Sequence, residues 1–207
     1  MWVIKTENEY VPFKHGAIVD GFKRPAKWPE ALSPEQRIQY CVFKKIVRNP
    51  VLQFGEKYGA VLPPVESGDE CIYEREVVSM SPEELSAALD AVKELKLLEL
   101  SVACGKQIVG GFNADVLGST HRYKSTLEDQ FNLSGLLAVG GDRMVVCSSD
   151  GGVTYSYALH TEAQIRDLFN LGEQLKTGLL QRCRDLKNQV LAAGTKDEVD
   201  AVTWGDL

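Results

Sequence analysis

Three histidines are the first candidates for metal binding or acid–base chemistry. His15, His121 and His160 lie far apart in the chain, and no two have the His-x-x-x-His separation with which a helix presents two imidazoles to one metal ion. The cysteines form no Cys-x-x-Cys pair, which is the spacing of zinc ribbons and dithiol redox centres. The sequence therefore predicts no metal site and no cofactor.

Nucleophiles and paired carboxylates are no better arranged for catalysis. The Gly-x-Ser-x-Gly motif of hydrolases is absent. Cys104-Gly105-Lys106 is similar to the end of a phosphate-binding loop, but Gln107 follows it where such a loop has Ser or Thr. Adjacent carboxylates begin three predicted helices, at Glu83-Glu84, Glu128-Asp129 and Asp197-Glu198. Their negative charge is favourable there because it complements the helix dipole. We expect no enzymatic activity. An enzyme acting on cell-envelope polymers, the remote alternative, would need two carboxylates in a cleft or a metal ion.

The charge distribution favours protein partners over nucleic acid. The net charge of −6 disfavours a phosphate backbone as the main partner, although residues 1–50 hold 9 Lys/Arg against 5 Asp/Glu. Lys44, Lys45 and Arg48 form a small basic cluster in this segment. The cluster suits a nucleic-acid-binding regulator, a further alternative, but three charges without a wider basic face are more often ordinary surface.

The hydropathy of the chain predicts no membrane partner. Residues 1–5 lack the apolar run of a signal peptide, and no stretch of eighteen apolar residues occurs. An odd number of widely spaced cysteines is typical of reduced, mostly buried thiols, so we expect synthesis in the cytosol. These cysteines are Cys41, Cys71, Cys104, Cys147 and Cys183.

The pattern of prolines and helix caps predicts two modules joined by a helix. Residues 1–80 contain seven of the eight prolines, which divide this part into short strands and loops because proline cannot donate to a β-ladder. Within it, a capping box of Ser33 and Gln36 predicts a short helix, and residues 71–78 are a candidate strand. A Ser-Pro-Glu-Glu capping box then begins at Ser81. We expect a connecting helix over residues 81–104 that stops at Gly105, followed by a C-terminal domain over residues 105–207.

The C-terminal domain is predicted to contain two β-hairpins and a long helix. Period-two patterns indicate the paired strands: Gln107–Asn113 with Thr120–Lys124, and Arg143–Ser148 with Val153–Ala158. Residues 127–139 are predicted to form a short helix that is interrupted by Gly135, and a capping box at Thr161 predicts a helix to about Ala193. The predicted fold class is α+β: a small β-rich N-terminal module, a connecting helix, and a C-terminal module of two β-hairpins packed on the long helix.

An apolar stripe runs along the long helix at three- and four-residue spacing. Its members are Ile165, Leu168, Leu175, Leu179, Cys183, Leu186 and Val190. The stripe either packs on its own domain or pairs with a second chain, and the sequence leaves both alternatives open. Gly172 and Gly178 each weaken the helix by about 1 kcal/mol and are candidate positions for a bend.

Other residues are predicted to shape the scaffold. Gly111, before Phe112, suits a close backbone approach or a β-bulge. The polar side chains of Asp129, Gln130 and Asn132 are placed to hydrogen-bond the backbone of the preceding hairpin.

The order of these elements resembles a domain of unknown function found in tailed bacteriophages and prophages. The resemblance rests on Gly111-Phe112, Tyr123, Asp129-Gln130-x-Asn132-x-x-Gly135, and an ending with Thr195, Glu198, Val199 and Trp204. It covers about residues 105–204. The runs 32–37 and 80–84 are similar to an upstream module that often accompanies that domain. Members of that family are commonly labelled tail-fibre or tail-fibre-assembly proteins, and the family supplies no catalytic residues.

The resemblance implies a non-enzymatic virion protein, made in the host cytoplasm. It would be an accessory structural or adaptor subunit of the tail or of the tail-fibre attachment region. The alternative is a tail-fibre assembly chaperone that is not retained in the virion. Both roles need adhesive surface, so we expect other tail or fibre proteins, and further copies of this chain, as partners. The residues predicted to make these contacts are Ile165, Leu168, Leu175, Leu179, Leu186, Val190, Tyr155, Tyr157, Lys44, Lys45 and Arg48.

Overall fold

A computed structural model describes residues 1–6, 9–14, 16–19 and 22–205. The chain divides into two compact units, residues 1–85 and residues 86–207, and the boundary falls in the first turn of a long helix. The predicted α+β class is confirmed, with N-terminal strands, a helix after them, two hairpins and a long C-terminal helix.

The N-terminal unit is built mainly of short strands. Its elements are β1 (Trp2–Lys5), β2 (Tyr10–Pro12), β3 (Ile18–Val19), β4 (Phe22–Lys23), a 3-10 helix (Trp28–Ala31), α1 (Pro34–Gln39), β5 (Val42–Val47), β6 (Glu56–Val61), β7 (Val65–Ser67), β8 (Glu70–Tyr73) and β9 (Arg75–Ser79). Five strands form one sheet in the order β2-β1-β5-β8-β7, in which β5 and β8 pair in parallel and the other neighbouring strands pair antiparallel. Val3, Phe43 and Cys71 form its buried core.

The N-terminal predictions hold for α1 and need one correction among the strands. Ser33 and Gln36 close the capping box that starts α1, because each side chain satisfies the other residue's backbone N–H. A single strand over residues 71–78 is wrong: this segment forms β8 and β9, which belong to different sheets.

The C-terminal unit contains most of the helical residues. Its elements are α2 (Pro82–Val109), β10 (Phe112–Ala114), β11 (His121–Tyr123), α3 (Leu127–Val139), β12 (Arg143–Cys147), β13 (Ser156–His160), α4 (Glu162–Ala192) and α5 (Lys196–Ala201). Among the described residues, no helix combines the length and the apolar character needed to cross a lipid bilayer.

The connecting helix does not stop at Gly105, as predicted, but continues to Val109. It lies antiparallel to α4, where the Cys104 thiol donates to the Leu179 carbonyl at 3.6 Å and the Cys183 thiol donates to the Leu100 carbonyl at 3.7 Å. Leu100 and Cys104 before the glycine are buried, and Ile108 after it packs against the same core. This packing keeps the helix intact, because it outweighs the roughly 1 kcal/mol propensity cost of one glycine. The first hairpin consequently begins later than predicted, at Phe112.

The predicted interruption at Gly135 is wrong, since α3 continues through it, and the long helix α4 also continues through both of its glycines. A side chain at Gly172 would place its Cβ 3.3 Å from the Phe112 ring, so this glycine makes room for the first hairpin. Gly178 faces open space. The second strand of the second hairpin is residues 156–160 instead of the predicted 153–158, because a long ordered turn separates the two strands.

Candidate functional site

The two hairpins of the C-terminal unit meet at a single backbone bridge. The Arg122 N–H donates to the Ser148 carbonyl at 2.7 Å, and the Ser148 N–H donates to the Arg122 carbonyl at 2.9 Å. The next hydrogen-bonded pair in this antiparallel register would be Lys124 with Val146. No backbone hydrogen bond joins that pair in the described chain, so β11 and β12 separate after the bridge.

The inner face of the joined hairpins packs on α4. Ala114, Tyr123, Cys147 and Leu168 form this buried cluster. Burial raises the pKa of the Tyr123 hydroxyl well above its ordinary value, because the interior disfavours the phenolate.

The turn between β12 and β13 is organised by Asp150. Its carboxylate accepts hydrogen bonds from the Ser148 hydroxyl and from the backbone N–H groups of Val153 and Thr154, the latter two at 3.0 and 2.9 Å. These bonds, the one from Ser148 first, hold the pKa of Asp150 well below its ordinary value. The buried Ser148 hydroxyl also accepts from the Gly152 N–H at 2.8 Å, so the turn is a fixed structure.

The start of α3 is fixed by the polar residues singled out in the sequence. Asp129 accepts from the Thr126 N–H at 3.0 Å, while the Asp129 N–H donates back to the Thr126 hydroxyl, which completes a capping box. Gln130 donates to the Ser125 carbonyl at 2.9 Å. Asn132 is exposed, and within the described residues its side chain makes no hydrogen bond.

An open groove of about 490 Å³ lies between α3 and the edge of β12 that faces away from β13. Its apolar lining includes Phe131, Leu136, Val139, Met144 and Tyr157. Three of these side chains are strongly exposed to water: Phe131 at 78%, Val139 at 71% and Tyr157 at 69%. Charged residues also line the groove: Lys124, Asp129 and Arg143.

A second apolar surface runs along the side of α2 that faces solvent. It consists of Ala91, Leu95, Leu98, Val102, Gly105 and Val109, all exposed, and we call it the α2 seam. Leu95 is 70% exposed and Leu98 is 62% exposed. The spacings alternate between four and three residues, which is the heptad pattern of helices that pair with other helices.

The stripe predicted along the long helix is mostly interior. Ile165, Leu168, Leu179 and Val190 are buried in the C-terminal unit, Leu186 is half-buried, and Leu175 is exposed. The stripe therefore packs on its own domain, the first of the two alternatives. Its buried members form no free docking surface.

The second hairpin and the basic cluster also differ from the predicted docking surfaces. Tyr155 lies in the turn, with the Lys124 ammonium 4.5 Å from its ring centre, and only Tyr157 is on a strand. In the N-terminal unit, Lys45 stacks over Tyr73 at 4.4 Å. Arg48 pairs with Glu70 at 3.3 Å, while Lys44 is exposed. Neighbouring strand residues point to opposite faces, so the three cations do not form one patch.

The remaining predicted scaffold residues lie in packed positions. Gly111 has φ of +84°, and a Cβ there would lie 2.5 Å from the Tyr123 carbonyl oxygen. Phe112 stacks on the Tyr123 ring with centroids 5.9 Å apart. Trp204 is buried with α2, α4 and α5, and the Arg182 guanidinium lies over its ring at 5.3 Å.

The histidines do not gather into a metal site in the part of the chain that the structure describes. His121 contacts the Ser119 carbonyl through Nδ1 at 2.9 Å, His160 is buried, and His15 lies outside the described residues. No three His, Cys, Asp or Glu side chains converge as metal ligands among the described residues.

Comparison with known proteins identifies one family. A family profile described as Domain of unknown function (DUF4376) matches residues 91–203, more than half of the chain. No curated protein and no solved structure matches the chain. The matched region begins at the first residue of the α2 seam and ends one residue before Trp204, so it contains both the seam and the groove.

Proposed function

Since the chain belongs to the family described as Domain of unknown function (DUF4376), whose description assigns no activity, we propose its function from its surfaces and from the phage resemblance of its sequence. The chain is a non-enzymatic adaptor of a bacteriophage tail or of its fibre-attachment region. It joins a second copy of itself through α2 and holds neighbouring tail proteins. The observation that carries the adhesive role is the α2 seam.

The seam supports this role because α2 has two apolar faces. One face packs on α4 through buried Leu100 and Cys104. The other face is the seam, which spans residues 91–109, or about 27 Å at 1.5 Å per residue. A helix that is apolar on both sides is normally covered on both sides, so the seam needs a partner.

A second copy of the same helix is the partner that fits this spacing. The other long helix, α4, exposes Leu171, Leu175, Leu180 and Leu191. Their spacings of four, five and eleven residues do not form a heptad seam. Among the described residues the matching surface is therefore another α2, and knobs-into-holes packing requires two seams of the same period.

An antiparallel pair of seams gives good size complementarity. With the two-fold axis between Leu98 and Val102, Leu95 of one copy lies opposite Gly105 of the other, and Ala91 lies opposite Val109. A larger side chain then meets a smaller one in these layers. The space beside Gly105 is open, since nothing lies within 4 Å of the position of its Cβ.

Quantitative mass spectrometry of purified particles tests the tail role. The particles are those made by the phage or prophage whose genome encodes the chain. We expect the chain at a fixed copy number relative to the tail proteins, retained through a density gradient. Its absence from particles, together with its presence in lysates bound to fibre protein, would contradict the subunit role and favour the assembly chaperone.

A further inference from the structure

We infer that the groove between α3 and β12 binds an extended peptide segment of a partner protein that carries apolar and acidic side chains. This goes beyond the proposed function, because it concerns a different surface from the α2 seam and assigns the chemistry of its ligand. It requires no pairing of α2.

The first reason is the free hydrogen-bonding edge of β12. Ser148 turns its N–H and C=O toward β11, where both bond Arg122. Peptide groups alternate in direction along a strand, so Val146 and Met144 also turn theirs away from β13 and toward the groove. Within the described chain no backbone partner bonds these groups. A strand edge with free donors and acceptors is a template for an added strand.

The second reason is the shape of the opening. β11 and β12 separate after the Arg122–Ser148 bridge, and α3 closes the far side. A groove of about 490 Å³ is of ligand-pocket size. A helical ligand, with a diameter of about 10–12 Å, would lie beside the strand edge and leave the free N–H and C=O groups of β12 unpaired. An extended chain satisfies them.

The third reason is the exposed apolar surface on both sides of that edge. Phe131 and Val139 project from α3, and Met144 and Tyr157 from the hairpin. Burying such side chains yields about 25 cal/mol per Å² of apolar area. The ligand therefore needs apolar side chains at alternate positions, as a strand presents them.

The charges that line the groove favour acidic side chains at the remaining positions of the ligand. No carboxylate of the described residues lies within 4.0 Å of the cationic groups of Lys124 or Arg143, both of which line the groove. The acidic residue of the lining, Asp129, is already bonded to Thr126. The groove thus presents two cations without ion-pair partners, which complement an acidic ligand.

Gly135 gives a sharp test of the site. It lines the groove in the middle of α3, and nothing lies within 4 Å of the position of its Cβ. Gly135→Leu adds an apolar side chain at the groove, with free space at its Cβ, and improves helix propensity. Gly178→Leu is the matched control, because Gly178 is also a helical glycine facing open space and does not line this groove.

The probe is a set of fluorescein-labelled nine-residue peptides in which glutamate alternates with valine, isoleucine or phenylalanine. Fluorescence anisotropy at low salt measures binding to the full chain. We expect at least one peptide to bind the wild-type protein and Gly178→Leu equally well, and to bind Gly135→Leu at least ten-fold more weakly. No binding by any peptide up to 1 mM, or equal binding to both glycine variants, would overturn the inference.

Two further comparisons separate the contributions of backbone and charge. N-methylation of every second peptide bond removes the N–H donors along one edge of the ligand. Of the two peptides methylated in this way, at odd or at even positions, one should bind at least ten-fold more weakly. Replacing glutamate by lysine in the best peptide should abolish binding, and Lys124→Gln with Arg143→Gln should remove most of the salt dependence. Unchanged affinity in all three comparisons would rule out a charged strand-edge site.

The same peptides distinguish this inference from the proposed function. The double variant Leu95→Glu, Leu98→Glu alters the seam and leaves every groove residue in place. We expect it to bind the best peptide with wild-type affinity. Loss of peptide binding in this variant would show that the groove depends on α2 pairing and would contradict an independent site.

Discussion

The Tyr123 hydroxyl lies 2.8 Å from Nε2 of His160, and both side chains are buried. Nδ1 of His160 lies 3.0 Å from the Ala158 carbonyl oxygen. A carbonyl only accepts, so Nδ1 carries the proton and Nε2 accepts from the tyrosine. This bond ties β11 of the first hairpin to β13 of the second, beneath the point where β11 and β12 separate.

Removing this hydroxyl should destabilise the C-terminal unit. Tyr123→Phe leaves Nε2 of His160 buried without its donor, which costs about 1–3 kcal/mol of unfolding free energy. Tyr157→Phe is the control, because Tyr157 is exposed. Urea denaturation followed by circular dichroism should show a lower midpoint for Tyr123→Phe only. Equal midpoints for the two variants would mean that the buried bond contributes nothing.

Gly111 should tolerate a methyl group much less well than Gly118. Both have positive φ, +84° and +83°, so alanine costs each about 1–2 kcal/mol of backbone strain. Only Gly111 adds a clash, since its Cβ would lie 2.5 Å from the Tyr123 carbonyl oxygen. We expect Gly111→Ala to lower the melting temperature at least twice as far as Gly118→Ala. Similar shifts would show that the close approach is absent in solution.

Acid should weaken the turn that Asp150 organises. Hydrogen bonds from Ser148, Thr154 and Val153 hold the pKa of Asp150 well below its ordinary 3.8. A carboxylate with a depressed pKa stabilises the fold above its unfolded-state pKa, and this contribution is lost as the pH falls below about 4. The stability advantage of wild type over Asp150→Asn should therefore shrink between pH 5 and pH 2. An advantage that stays constant over this range would contradict the assignment.

Thiol reactivity should be confined to one cysteine in the native protein. Cys41 is exposed and the other four are buried, and burial raises the pKa of Cys71, Cys104 and Cys147. The thiolate is the reactive form, so a thiol reagent such as DTNB should label one cysteine natively and five in denaturant. Rapid labelling of two or more cysteines in the native protein would mean that a buried core opens. Peptide mass mapping would then identify the labelled cysteines.

The elements with strong local signals could be predicted from the sequence. Capping boxes at Ser33, Thr161 and Thr195 each begin a helix in the structure, because these bonds form between residues three positions apart. The long helix and the order of the hairpins followed from hydrophobic period and turn residues.

The misplaced boundaries depend on contacts between distant residues. Helix α2 does not end at Gly105, because Leu100 and Cys104 pack on α4, which is distant in the sequence. The second hairpin shifted because Asp150 bonds the backbone as far as Thr154. The sequence does not predict the α2 seam for a related reason: apolar residues on both faces of the helix obscure its periodicity. The groove has no local signal at all, since it arises where two hairpins separate.

The mass of the native protein in solution tests the proposed assembly through the α2 seam most directly. Sedimentation equilibrium should give a dimer of 22.9 kDa chains that dissociates on dilution. Leu95→Glu with Leu98→Glu should give a monomer at every concentration, because it places four charges in the paired seam. Gln107→Glu with Thr177→Glu adds the same charge at exposed positions outside the seam and should remain dimeric. A wild-type chain that is monomeric at millimolar concentration, or a seam variant that still dimerises, would contradict the account.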